Sequence, residues 1–212
     1  MASTKYSDML TDVLPYLAAD PSDPVTEYAI RRTVVDFCAD TLLWRYIPDS
    51  QDVVAGEAYY DLDAPNGGQV NNVLYAKLDG VPLINKSVEW LNANEPRWDT
   101  DSGVSKYFTQ LDSDQLILAL VPDSSYTDGL SMMLSLYPSA ESTSFPSWIA
   151  NQYSYTIALG AVSRLMLMPQ KPWTDLAVGS AFKSEYEGNK SNARADAVMA
   201  LSRASVRTGN EH

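Results

Sequence analysis

One stretch limits what this chain can fold into more than any other. It runs from Phe145 to Trp173, FPSWIANQYSYTIALGAVSRLMLMPQKPW. Pro146 stands where a first helical turn tolerates proline, because the N–H at that position would have no intrahelical partner. Trp148, Ile149, Gln152, Tyr155, Thr156, Leu159, Val162, Ser163 and Met166 then recur at helical spacing, which puts them on one face. Pro169 and Pro172 stop the helix. Ala158, Gly160 and Ala161 are small, so this helix-packing patch lets another element approach closely.

The rest of the chain arranges itself around that helix. Residues 4–18 read as a short helix with Met9, Leu10, Val13, Leu14 and Leu17 on one face, and Pro15 kinks it or ends it early. Asp23 is a good N-cap and Pro24 a good first residue for a second helix running to about Tyr46. Its stripe is Ile30, Val34, Phe37, Cys38, Thr41 and Trp44, with Arg31, Asp36, Asp40 and Arg45 largely on the other side. From 51 to 138 the texture is one of short alternating segments and turns, including an Asp79-Gly80 hairpin signal and a second hairpin around Asp112-Ser113-Asp114. Residues 86–92 read as one helical turn, and five or six short strands with no intervening helices predict an antiparallel sheet or sandwich. After Trp173, Thr174 or Asp175 caps a last helix to about Arg207, with Gly188-Asn189 a possible kink or break.

The expected fold class is therefore α+β: a helical bundle body with an inserted antiparallel β-domain and a long C-terminal helix or arm. The expected domains are 1–50 and 139–188 for the body, 51–138 for the β-rich insertion, and 189–212 for the arm.

Charge and composition narrow the functions. The formal charge is −12, which argues against binding nucleic acid through phosphate neutralisation and against an anionic membrane surface. Residues 183–207 carry five Lys/Arg against three Asp/Glu, while the remainder carries ten against twenty-four. An acidic body with a mildly basic end suits an acidic partner surface or further copies of itself. The single cysteine, Cys38, rules out a disulfide framework and lies on an apolar stripe, as a core thiol does. Asp8 and Asp12 fall where a signal peptide has its apolar core, and no run is long enough to span a membrane.

No catalytic, cofactor or metal site is expected. The only histidine is the terminal His212, which removes histidine-based triads and Cys/His zinc sites. Asp61, Asp63, Asn66 and Gly67 sit near one another in a loop, but position six is Asn66 and position twelve is Asn72, so a calcium loop is not spelled. Trp98, Tyr107 and Phe108 form either a sugar platform or part of a core. Carboxylate pairs for glycoside hydrolysis are numerous, and nothing selects one.

Several motifs in order resemble a known family. They are YSDMLTDVLPYL, then Asp23-Pro24 with AIRRTVVDFCADTLLWR, then the DGVPL hairpin. Trp98, Gly103 and Tyr107 follow, then LALVP, then IALGAVSRLMLMPQKPW ahead of Phe182 and Ala193-Arg194. Together they resemble the head-to-tail adaptor, or connector, proteins of tailed bacteriophages, related to the tubular tail proteins of short-tailed phages. The resemblance implies a structural virion protein of the neck, assembled in the host cytoplasm and used in genome ejection. It implies a homo-oligomeric ring, usually of twelve copies, between the portal protein and a tail tube or nozzle protein. DNA passes through the channel without specific binding. The resemblance implies no membrane, no cofactor and no enzymatic activity. Under this reading Arg194, Arg203 and Arg207 on the Ala-rich end face the portal, because arginines pair bidentately with carboxylates. The alternatives are a tail-associated glycan hydrolase and a sugar- or receptor-binding module.

Overall fold

The structure is a computed structural model that describes residues 2–206, with side-chain surroundings through residue 200. The elements, in chain order, begin with β1 (Ser3–Lys5), α1 (Leu10–Val13), α2 (Asp23–Thr41), β2 (Arg45–Tyr46), β3 (Gln51–Val53), β4 (Tyr59–Asp61), β5 (Gly68–Leu78) and β6 (Val81–Asn85). They continue with α3 (Val88–Asn94), β7 (Ser102–Gly103), β8 (Tyr107–Gln110), β9 (Gln115–Ala119), β10 (Val121–Pro122), β11 (Tyr126–Pro138), β12 (Ser144–Pro146), α4 (Ser147–Met166) and α5 (Leu176–Val206). The chain divides into two compact units, Met1–Leu43 with Tyr137–His212, and Trp44–Leu136.

In the first unit α4 is the central element. Ile149, Ile157, Leu159, Val162 and Leu165 are buried, and so are Ala158, Gly160 and Ala161, so α4 is enclosed on most sides. The helix departs from helical geometry at Tyr153, whose ring packs 4.9 Å from that of Phe37. Against α4 lies the buried face of α2, with Ile30, Val34, Phe37 and Cys38 at helical spacing. Thr33 and Thr41 share that face because each hydroxyl donates to the carbonyl four residues back, at 2.8 and 2.7 Å, which satisfies a buried polar group. Helix α2 stops at Thr41 rather than near Tyr46, because Leu42 turns left-handed at φ 57° and Arg45–Tyr46 joins the sheet. The first residues pair as β1 with β12, and Tyr6 stacks on Phe145 at 5.5 Å. Pro15 falls in a terminal 3₁₀ turn that closes the α1 segment.

Helix α5 is continuous through Gly188. Asp175 caps it, its Oδ1 accepting from the N–H groups of Ala177 and Val178 at 3.1 and 3.0 Å. The turn through Pro169 and Pro172 brings α5 back onto α4, and Asp175 N–H donates to the Met166 carbonyl at 3.1 Å.

In the second unit seven strands bend into a half-barrel in the order β2-β11-β5-β6-β8-β9-β4, and β3 pairs beside them with β11. Val73, Ala76, Leu83, Phe108, Leu116 and Leu118 are buried in its core. The β5–β6 hairpin turns at Asp79 and Gly80, with φ of 48° and 77°, as a two-residue hairpin loop requires.

The expected helical bundle body with an inserted antiparallel β-domain is corrected here. The described residues hold twelve strands against five α-helices, helix accounts for 41% of the chain, and the main sheet is mixed. The physical reason is α3. Strands β6 and β8 pair in parallel, Ile84 beside Tyr107, and a parallel neighbour needs a long crossover. Helix α3 lies on that crossover, capped by Ser87, whose Oγ accepts from Trp90 N–H at 3.2 Å. Leu91 of α3 and Trp98 of the following loop cover Ile117 and Ala119 of β9.

Candidate functional site

The strongest cluster of charged groups lies in the first unit, where α2, α4 and α5 meet. On α5, Tyr186, Lys190, Ala193 and Ala197 are buried and fall at helical spacing, so they form the face that packs inward. On α2, Asp36 and Asp40 lie one turn apart and present two carboxylates to that face. The Lys190 ammonium donates to Asp40 at 2.7 Å, to Glu187 at 2.9 Å and to Asp36 at 3.1 Å, with its side chain 9% exposed. The same Asp36 oxygen accepts from the Tyr186 hydroxyl at 2.8 Å and pairs with Arg164 of α4 at 3.5 Å. Arg164 Nε also donates to Thr33 Oγ1 at 3.2 Å, so one polar cluster ties three helices together.

Its electrostatics favour a fixed charge state. Burial alone would push the Lys190 ammonium down, but bonds to Asp40, Glu187 and Asp36 outweigh it and hold the group above the usual lysine range. Tyr186 is also raised above the ordinary tyrosine range, first by burial and then by the charge and hydrogen bond of Asp36. The tyrosine therefore stays a donor and the lysine stays a cation. A lysine held protonated is a structural anchor and not a nucleophile.

Beside the cluster runs a groove of about 530 Å³, bordered by Tyr28, Arg32, Asp36, Arg164, Lys183 and Glu187. Tyr28 stands 58% exposed at its edge. Among the described residues, Arg32 and Lys183 make no ion pair, whereas Asp36 and Glu187 are both already bonded by Lys190. Along the border three cations, Arg32, Arg164 and Lys183, stand against two carboxylates, Asp36 and Glu187, a net of +1.

The small-residue patch divides between two sides. A Cβ on Gly160 would meet two ring carbons of Tyr186 at 2.9 Å and would lie closer still to Thr33 Cγ2, so both α2 and α5 approach there. Ala161 is fully buried, and Ala158 borders a shallow groove against Thr11, Pro15 and Tyr16. Arg194 is exposed on α5. The Arg203 side chain and all of Arg207 and His212 lie outside the described residues. Lys190, Ala193 and Ala197 lie on the packed face while Arg194 between them is exposed, so the segment expected as an arm from residue 189 is packed inward as far as Ala197.

The aromatic loop has a different setting from a surface platform. Trp98 is 7% exposed and its Nε1 donates to Asn92 Oδ1 at 2.9 Å. Phe108 is buried, and Tyr107 meets the Trp90 ring at 5.1 Å. Cys38 is buried in the α2 face, and burial pushes its thiol far above the usual range. Among the described residues no group of three or more His, Cys, Asp or Glu side chains is arranged to hold a metal ion. No described helix is long and apolar enough to cross a membrane.

Sequence reasoning missed the lysine cluster. The signal was present: Asp36 and Asp40 follow helical spacing, and Lys190 shares a face with Tyr186 and Ala193. Pairing the two helices needed the fold. No protein-family model matches the chain, and no curated protein matches it.

Proposed function

We propose that this chain is a head-to-tail adaptor of a tailed bacteriophage. Copies form a ring between the portal protein and the tail tube or nozzle, and DNA passes through the ring without specific binding. The order of motifs from YSDMLTDVLPYL to Ala193-Arg194 supports the reading. The structural observation that carries it is the anchoring of α5. Tyr186, Lys190, Ala193 and Ala197 fix the helix to α2 and α4, and the helix continues past Ala197 to Val206. A helix held at its root, with Arg203 and Arg207 following in the sequence beyond those anchors, suits docking to an acidic partner surface.

The test is assembly with portal. Purified chain mixed with the portal protein of the same virion should give a ring stacked on the portal in negative-stain images. Deleting 198–212 should abolish that binding and leave the melting temperature within about 2 °C, because the buried anchors Tyr186, Lys190, Ala193 and Ala197 all remain. Failure of the intact chain to join portal at any ionic strength would refute the adaptor reading. Portal binding by the truncated chain would refute the arm. The sugar-binding alternative drew on an exposed Trp98, and the burial of that ring takes away its support.

A further inference from the structure

The cationic groove of the first unit has a complement elsewhere on the chain. Residues 44–136 hold fourteen Asp/Glu against five Lys/Arg, a net of −9, whereas the rest holds thirteen against ten, a net of −3. Four of those fourteen carboxylates meet at one corner of the half-barrel. Strand β4 pairs with β9 so that Asp61 lies beside Gln115, and Leu62 N–H donates to the Asp114 carbonyl at 2.8 Å. That pairing gathers the exposed carboxylates of Asp61, Asp63, Asp112 and Asp114 beside a turn whose Leu111 is 64% exposed. Asp112 Oδ1 accepts from the N–H groups of Asp114 and Gln115 at 2.9 and 3.1 Å, which fixes the shape of the turn.

We propose that the groove bordered by Arg32, Arg164 and Lys183 receives the acidic β8–β9 turn of a neighbouring copy of this chain. Two properties match. The groove mouth carries Arg32 and Lys183, which pair with no described carboxylate, and the turn carries carboxylates in excess of any cation beside them. The groove also has apolar surface from Leu167 and Met168, which suits the exposed Leu111. Arginine adds geometry as well as charge, because its planar fork accepts a carboxylate through two parallel bonds. Groove and turn are different patches, so the contact is head-to-tail, and repeating it closes a ring when the rotation closes. The inference rests on the proposed ring and names the surfaces that join its subunits.

The experiment uses full-length chain, alone at high concentration and on portal. Equal amounts of unlabelled and ¹⁵N-labelled chain are joined with a zero-length carbodiimide, which links a lysine to a carboxylate in direct contact. Mixed-isotope peptides should join Lys183 to Asp112 or Asp114. Arg32→Glu with Lys183→Glu should weaken assembly at least tenfold, and so should Asp112→Lys with Asp114→Lys. Mixing the two reversed chains, or combining all four changes in one chain, should restore it. Circular-dichroism melts should match the parent, since all four positions are exposed. Assemblies that form normally with either reversal, or that cross-link only through other residues, overturn the groove contact and leave the adaptor reading standing. Absence of any assembly, alone or on portal, overturns both.

Discussion

Gly160 and Gly188 offer the same substitution with opposite expected signs. Both lie inside helices, and glycine to alanine in a helix interior gains about 1 kcal/mol from backbone entropy alone. At Gly188 an added Cβ meets nothing within 4 Å, so that gain should appear undiminished. At Gly160 the added Cβ would sit 2.9 Å from two Tyr186 ring carbons and closer to Thr33 Cγ2. Carbon atoms rest at about 3.5–4 Å, so the ring must retreat by roughly 0.6–1 Å. Neither neighbour yields easily. The Tyr186 hydroxyl is held by Asp36 at 2.8 Å, and Thr33 Oγ1 both donates to Ala29 and accepts from Arg164. Overpacking of this kind costs about 1–3 kcal/mol, and two constrained neighbours place it near the upper end. Subtracting the helix gain leaves Gly160→Ala about 2 kcal/mol less stable, against about 1 kcal/mol more stable for Gly188→Ala. In a chain of this size those values correspond to melting shifts of roughly −4 to −8 °C and +2 to +4 °C. Urea titration followed at 222 nm checks both, with near-ultraviolet dichroism reporting Tyr186. If Gly160→Ala proved as stable as Gly188→Ala, the close approach of α2 and α5 at this point would be wrong.

Other perturbations read other parts of the structure. Lys190→Met removes a cation from three carboxylates that are 34%, 49% and 48% exposed. Each contact is discounted for solvent screening, so the change should cost about 2 kcal/mol, and a loss under about 0.5 kcal/mol in urea titration would show that the cluster does not anchor α5. The buried Cys38 thiol is raised above its unfolded value of about 8.5, so its contribution is complete below that pH and falls as pH rises. Stability should drop by about 2 kcal/mol between pH 8.5 and pH 10, and the slope should flatten in Cys38→Ala; an equal slope in both chains would contradict the burial. Trp98→Ala should destabilise the second unit by about 3–5 kcal/mol, as large core truncations do, while hydrogen exchange in α2 and α4 stays unchanged. A loss below about 1 kcal/mol would mean that Trp98 is not part of the core.

Much of the helical unit was legible in the chain. The period of Ile30, Val34, Phe37 and Cys38 marks the buried face of α2, and the Asp79-Gly80 pair marks the β5–β6 hairpin. Those signals are local, carried by side-chain spacing within one element. The parallel pairing of β6 and β8 was not legible. Short strands with turn signals read as antiparallel, and a single helical turn read at residues 86–92 does not announce the crossover that α3 occupies. The extent of α2 was misjudged for a related reason, since Trp44 continues the apolar stripe while the backbone has already left the helix at Leu42.

The candidate site shows the same division. By itself the sequence determined that a small-residue patch lies at Ala158–Ala161, that the chain is acidic, and that a long helix follows the two prolines. Only the tertiary structure decided that Gly160 faces Thr33 and Tyr186, and that Lys190 joins Asp36 across more than 150 residues of chain. It also decided that Trp98 is core rather than surface. Spacing fixes which side chains share a face of one helix, but a charge pair between helices depends on how those helices pack. That packing is set by the sum of many apolar contacts, none of which is written at a single position.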